Sequence, residues 1–360
     1  MKTDKNTIIG FVLLAVLFFV FFWYNNKNMS AYNEQKKKEQ DSIARVKEAS
    51  ITPAMKAKAL QDSLKADSLM RASKGGEFKA ALGTEKQDIV ENDVMKLVFT
   101  NKGGILKHAY LKNYKSFDSS LIRVGNEKDT LGYRINTGNN NSALTTELFF
   151  VNSGIQKNAD GSQTATYALK DSAGKSIEHI FTINPKDYMI KWDVKVAGAQ
   201  QIFSNGVMNF VWKSHLTQHE KSAKYERQVS NIGFVENGDF DYIMAKTEHT
   251  FEKPTHWMSI SQQFFNSTLI ADNKFNNGKV VWAKNTVDTS KELANVDAVF
   301  QTTVTGNTAS VPFKLYFGPN DYSILKKQGM EMDRIVNLGR DMYSFVRPIN
   351  QYVLMPVFNF

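Results

Sequence analysis

The sequence predicts a mainly β protein. One large antiparallel β-sandwich occupies residues 88–320, behind a single N-terminal transmembrane helix and ahead of C-terminal amphipathic helices. Three observations predict this. Residues 190–196 (Ile-Lys-Trp-Asp-Val-Lys-Val) alternate apolar and charged side chains without a fault, as a half-buried antiparallel strand requires. Asn-Gly pairs sit between such runs, the strongest short-range hairpin signal. Ile8 to Tyr24 is an unbroken apolar run of 17 residues.

That run is just long enough to cross a bilayer, with residues 7–25 as the span and 1–6 outside it. Ile8, Phe11, Leu14, Phe18 and Phe22 supply the lipid-facing surface, and Trp23 and Tyr24 stand where an interfacial aromatic belt falls. Lys2, Lys5 and Lys27 can snorkel at its ends. A cleaved signal peptide is the rival reading. It needs a short apolar core and a small-x-small site, whereas bulky aromatics here run to the end and Met29-Ser30-Ala31 is a poor site. A count of flanking Lys places the N-terminus outside, yet long soluble domains cross largely regardless of such charge.

Residues 26–87 read as a polar, basic linker, helical in part. The net charge of the chain is +9, and between Asn25 and Lys86 there are 13 Lys/Arg against 8 Asp/Glu, a difference of +5. Most of the excess is thus local to a segment beside a membrane, where it meets anionic headgroups or water. No basic stripe interleaved with aromatics points to nucleic acid. Leu60 and Leu64 suit short helices, and Ser73-Lys74-Gly75-Gly76 breaks them.

From Asp88 the period is two. Met95, Leu97 and Phe99 share a face, as do Ile177, His179, Phe181 and Ile183, and Phe313, Leu315 and Phe317. Asn237-Gly238, Asn277-Gly278, Asp160-Gly161 and Ala173-Gly174 are the expected turns. No long helical pattern intervenes, so a βαβ sheet is not expected.

After residue 320 the period changes. Asn320 or Asp321 can cap a short helix through Leu325. Ile335, Leu338, Met342, Phe345 and Ile349 follow spacings of 3, 4, 3 and 4, one apolar helical face, with Arg334, Arg340 and Arg347 around it. Residues 321–360 are therefore expected to form an amphipathic, interfacial helical segment.

The chain has no cysteine, which excludes disulfides, thiolate chemistry and Cys-based metal sites. His215 and His219 would share a helical face and could bind zinc. On a strand they lie about 13 Å apart, and Glu220 falls outside the His-Glu-x-x-His pattern, so both are read as exposed loop histidines. Asn101-Lys102-Gly103-Gly104 lacks the Gly-Lys-Ser/Thr of a phosphate loop and reads as a hairpin turn. Glu236, Asp239 and Asp241 read as solvated turn carboxylates. Gln262-Gln263-Phe264-Phe265 reads as strand core, with a peptide groove as the functional alternative. Gly-x-Ser-x-Gly is absent. No catalytic, metal or cofactor residue is assigned, and no enzymatic activity is expected.

In order along the chain, Asn6-Thr-Ile-Ile-Gly10, Asn101-Lys-Gly-Gly104, Leu111-Lys-Asn-Tyr114, Glu147-Leu-Phe-Phe150, Pro185-Lys-Asp-Tyr188, Gln262-Gln-Phe-Phe265 with Ile270-Ala-Asp272, Tyr316-Phe-Gly-Pro-Asn320, Asn337-Leu-Gly339 and Met355-Pro-Val-Phe-Asn-Phe360 resemble the N-terminal part of bacterial YidC-type membrane protein insertases. No single motif is specific; the ordered set is. The resemblance implies a cytoplasmic N-terminus, a β domain in the periplasm with a mutarotase-like β-supersandwich fold, and an interfacial helix ahead of the second transmembrane helix. It implies insertion and folding of inner-membrane proteins, with nascent membrane proteins, Sec translocon components and the lipid bilayer as partners. The family's insertion groove lies in later transmembrane helices, so no residue is named for that step. A membrane-anchored carbohydrate-binding or sugar-modifying protein and a tethered scaffold that binds along a strand edge are the alternatives.

Overall fold

A computed structural model of the chain describes residues 73–80, 82–340 and 345–354. The expected membrane anchor and most of the linker lie outside them. Among the described residues, no helix is long and apolar enough to cross a membrane.

The first four strands, β1 (Gln87–Glu91), β2 (Met95–Thr100), β3 (Ile105–Lys115) and β4 (Leu121–Val124), form one sheet in sequence order. Then come β5 (Thr130–Gly138), β6 (Asn141–Leu144), β7 (Val151–Lys157), β8 (Gln163–Lys170), β9 (Ser176–Ile183) and β10 (Met189–Ala197). They are followed by β11 (Val207–Thr217), β12 (Asn231–Glu236), β13 (Asp239–Ile243), β14 (Glu248–Phe251) and β15 (Thr255–Ser261). The last are β16 (Phe265–Phe275), β17 (Asn277–Lys284), β18 (Glu292–Thr303) and β19 (Thr308–Pro319). Nine of these make a sheet in the order β13-β12-β15-β16-β19-β10-β9-β8-β7, and six make another in the order β14-β17-β18-β11-β5-β6. Every ladder within them is antiparallel.

The alternation seen in the sequence sets which face is dry. Ile190, Trp192, Val194 and Val196 on β10 are buried, as are Ile177, His179, Phe181 and Ile183 on β9 and Phe313, Leu315 and Phe317 on β19. Trp192 stacks on Phe181 at 5.9 Å and meets Phe313 at 5.3 Å. Phe313 in turn packs edge-on against Phe210 of β11, at 4.9 Å. Aromatic pairs thus join the two large sheets, in the tilted and edge geometries that ring quadrupoles favour.

Asn101-Lys102-Gly103-Gly104 is the predicted hairpin turn, between β2 and β3. Gly104 is required there: its φ is +58°, and a Cβ would lie 2.8 Å from the Phe150 ring. That closeness lets the Gly104 carbonyl accept a bond of 2.7 Å from His179 Nδ1. Since a carbonyl only accepts, Nδ1 carries the proton, and Nε2 is left to accept from the Tyr133 hydroxyl at 2.6 Å. Burial pushes the His179 imidazole down to about 4, against the partial help of the Gly104 bond.

Asn237-Gly238 makes the tight β12–β13 hairpin, with φ of +55° and +92°, and Asp160-Gly161 and Ala173-Gly174 turn β7 into β8 and β8 into β9. Asn277-Gly278 does not turn. It lies inside β17, where a Gly278 Cβ would sit 2.5 Å from the Phe300 ring, so this glycine serves close packing. Gln262-Gln263-Phe264 is a turn before β16 and not strand core; Phe264 is exposed and Phe265 buried. The domain also begins before residue 88. Phe78 and Ala80 reach the core, and Lys74 and Glu77 pair with Glu147 and Lys175.

Two predictions follow from the Gly104–His179 contact. Gly104→Ala should lower unfolding stability by about 2–4 kcal/mol, read as a reduced denaturant midpoint at unchanged m-value; an unchanged midpoint would refute the close approach. His179, and His219 described below, stay neutral down to about 4 in the folded chain, whereas unfolded imidazoles protonate near 6.5. The unfolded state therefore binds more protons in this window, and stability falls as pH drops from 6.5 towards 4, by up to about 3 kcal/mol per histidine. His179→Gln should flatten that slope in pH-dependent unfolding.

Candidate functional site

The residues after β19 carry the sequence-predicted site. Asn320 binds the 262–264 turn through Nδ2 to the Gln262 carbonyl at 2.8 Å and through its N–H to the Phe264 carbonyl at 2.7 Å. Asp321 then caps helix α1 (Tyr322–Gln328), its carboxylate accepting from the Ile324 N–H at 2.8 Å. Gly329, Met330 and Glu331 follow with φ of +71°, +52° and +59°. Two consecutive non-glycine residues in the left-handed region are costly, and specific bonds hold them. The Trp257 indole donates to the Met330 carbonyl at 2.8 Å. The Phe240 N–H on β13 donates to the Glu331 carboxylate at 2.8 Å.

This second bond has a structural consequence. β13 is an edge strand, and an unpaired edge invites pairing with another chain. Glu331 occupies one of its donors from the solvent side. Met332 and Ile335 then plug into the core.

Arg340 completes the attachment. Its guanidinium lies 4.5 Å from the Tyr242 ring centroid and 5.3 Å from that of Phe240. It donates to the carbonyls of Arg334 at 2.7 Å and Ile335 at 2.6 Å. Arg334 covers the Phe240 ring at 5.6 Å and pairs with Glu331 at 3.6 Å. Arg347 pairs with Asp333 at 3.0 Å, and Asn350 Nδ2 binds the Leu338 carbonyl at 2.9 Å. Beyond these contacts the segment turns apolar side chains to solvent: Phe345 is 70% exposed and Tyr352 72%, with Ile349, Val353 and Leu354 exposed as well.

The sequence predicted one continuous helical face over Ile335, Leu338, Met342, Phe345 and Ile349. The structure corrects this. Ile335 closes a 3-10 turn, Met332–Ile335, and is buried; residues 336–340 are not helical. Asn337 and Gly339 favour a turn there, and the Arg340 bonds to Arg334 and Ile335 carbonyls replace helical ones. A helical stretch resumes at Arg347–Ile349 and Asn350–Leu354. Met342 lies outside the described residues. Sequence reasoning found the arginines but missed Phe240, Tyr242, Trp257 and Glu331, because the pairing of Arg340 with rings about a hundred residues away leaves no local periodicity.

His215 and His219 are not exposed loop residues. His215 is on β11, its N–H bonded to Asp129 at 2.7 Å and its Nδ1 3.3 Å from the same carboxylate. His219 is buried, bonded through Nε2 to the Arg123 carbonyl at 2.9 Å, and burial depresses it to about 4. Its N–H and that of Glu220 are taken by the Glu226 carboxylate, at 2.9 and 3.1 Å. Burial raises the Glu226 pKa, opposed by these bonds and by the Gln262 amide. The group fixes loops to one another. Among the described residues, no three His, Asp or Glu side chains are placed to hold a metal ion.

A cavity of about 160 Å³ opens where the three sheets meet, lined in part by Leu106, Trp212, Ser267 and Leu315. Lys107 guards it, 2.9 Å from both Glu85 and Glu127. Partial burial works against the ammonium, and the two carboxylates more than offset it, so its pKa is raised.

Comparisons with known proteins bear on the whole chain. The family model described as YidC periplasmic domain matches residues 89–352. A protein of Parabacteroides distasonis named Membrane protein insertase YidC is 28% identical over 393 residues, covering 99% of this chain and 59% of that protein. One of the same name from Porphyromonas gingivalis is 30% identical over 385 residues, covering 99% and 58%. The chain thus spans less than two thirds of the length of these relatives. Among solved structures, a putative mutarotase from Salmonella typhimurium superposes with a TM-score of 0.41 at 9% identity, over 66% of this chain and 92% of that one. A TPR-domain containing protein from Parabacteroides distasonis gives 0.44 at 9% identity, over 64% and 47%.

Arg340→Ala should loosen residues 336–340. The expected result is about tenfold faster cleavage there by a non-specific protease under native conditions, about 1.4 kcal/mol of local opening. Arg340→Lys should recover less than half of this, since an ammonium does not stack flat on the Tyr242 and Phe240 rings. Unchanged cleavage in the alanine variant would contradict the attachment.

Proposed function

The chain belongs to the YidC periplasmic-domain family, and from that membership we propose that it is the front part of a membrane protein insertase and chaperone of the bacterial inner membrane. The single observation that carries this reading is the family match over residues 89–352, together with relatives named as membrane protein insertases across 99% of the chain. The large β domain stands in the periplasm.

The division of labour follows from solvation. Unsatisfied backbone groups cost several kcal/mol each in hydrocarbon, and an insertase lowers that cost for segments in transit. The part described here supplies attachment and a folded platform. Residues 7–25 serve as the membrane anchor, through Ile8, Phe11, Leu14, Phe18, Phe22, Trp23 and Tyr24. Arg334, Leu338, Arg340, Met342, Phe345 and Arg347 form the interfacial segment, in which Ile335 is turned to the core instead of the lipid. Nascent membrane proteins are the substrates, handled alone or with the Sec translocon, and no enzymatic step is assigned. The resemblance of the sequence motifs supports the translocon partnership.

Depletion of the full-length protein tests the reading. Insertion of single-span substrates, read by protease protection, should fall severalfold and return on re-expression. Insertion at normal rates in depleted cells would refute it.

A further inference from the structure

The contacts at the β13 edge seat residues 331–340 on the sheet. Five large apolar side chains, Phe345, Ile349, Tyr352, Val353 and Leu354, are exposed within ten residues. An exposed run this dense marks a surface that something covers. The same ten residues are tied to residues 333 and 338 of the stretch that Arg340 seats on the sheet. Arg347 holds Asp333, Asn350 holds the Leu338 carbonyl, and Arg340 rests on Tyr242 and Phe240 of β13. Arg347 and Asn350 turn back to residues 333 and 338, while the five apolar side chains stay exposed. Met244, the residue after β13 and two beyond Tyr242, is 40% exposed.

We infer that the outer edge of β13, with Met244 at its end, lies against the surface of the lipid bilayer, held there by Arg340 on Phe240 and Tyr242, with Arg347 tying the exposed run to Asp333 of the same segment. The inference rests on the proposed interfacial role of residues 334–347 and extends it from a segment to a face of the domain. The occupant is lipid because the exposed run is continuous with that segment and carries the pattern of interfacial helices: apolar and aromatic residues outward, arginines behind. Such a face sinks about 5–10 Å into the headgroup boundary, which leaves the adjoining edge strand within headgroup reach. β7, at the other end of the nine-stranded sheet, is eight strand spacings away, roughly 38 Å, and is turned from the membrane.

The absence of cysteine in residues 1–360 makes the test clean. In full-length protein with no other cysteine, reconstituted into phosphatidylcholine–phosphatidylglycerol vesicles, a bimane is placed at Met244→Cys, Tyr352→Cys or Ile155→Cys on β7. Quenching by a nitroxide on the lipid headgroup should be at least threefold stronger at 244 and 352 than at 155. Arg340→Ala should bring position 244 down towards the level of 155 while 352 stays quenched, and Arg347→Ala should do so in part. Far-ultraviolet dichroism checks that each variant is folded. Quenching at 352 but not at 244 overturns the inference and leaves the interfacial reading standing. Quenching at neither position overturns both. Shielding of 244 from aqueous iodide without quenching from lipid would place a protein there and also overturns the inference.

Discussion

Two hydrogen bonds through one imidazole hold the three sheets in register. Gly104 belongs to the turn between β2 and β3, His179 to β9 of the nine-stranded sheet, and Tyr133 to β5 of the six-stranded sheet. Buried polar groups that are fully satisfied fix a geometry, because any slip leaves one of them unpaired at a cost of about 1–3 kcal/mol. His179 is also walled by rings: Phe150 stacks on it at 4.8 Å and Trp192 meets it edge-on at 5.3 Å. A sandwich built from hydrophobic burial alone tolerates sliding. This relay does not, and it places the sheet whose far edge, β13, receives the C-terminal segment.

At that edge the chain solves two problems with one stretch of residues. An edge strand has to be guarded, and the residues that follow α1 have to be fastened to the domain. Glu331 guards Phe240, and Arg340 fastens to Phe240 and Tyr242. The backbone strain at Met330 and Glu331 is offset by Trp257 and β13, so the attachment depends on the sheet being intact. Domain and segment are thereby coupled mechanically.

The strands were legible because their faces differ. Period two in β9, β10 and β19 reports a dry side and a wet side, and Asn237-Gly238 reports its turn through backbone geometry that few other pairs adopt. Asn277-Gly278 misled because the same dipeptide also meets a different need, room for the Phe300 ring. His219 misled because nothing local shows that Glu226, seven residues on, caps its loop. The helical spacing from Ile335 to Ile349 was real as a pattern of apolar residues, but its first member serves the domain core and its last faces outward. A break between them, bridged by Arg340, separates two destinations that periodicity alone reads as one. Partners far apart in sequence, such as Arg340 with Tyr242, leave no trace in a window of ten residues.

The central claim is that the C-terminal segment is built onto the β13 edge and is part of the folded domain. Hydrogen exchange at the Phe240 amide, followed residue by residue in the folded chain, tests it most directly. The account predicts that this edge amide is protected like those of interior strands, and that Glu331→Ala releases it selectively while the β9–β10 ladder stays protected. Exchange at the rate of an open edge strand in the unmodified chain would contradict it.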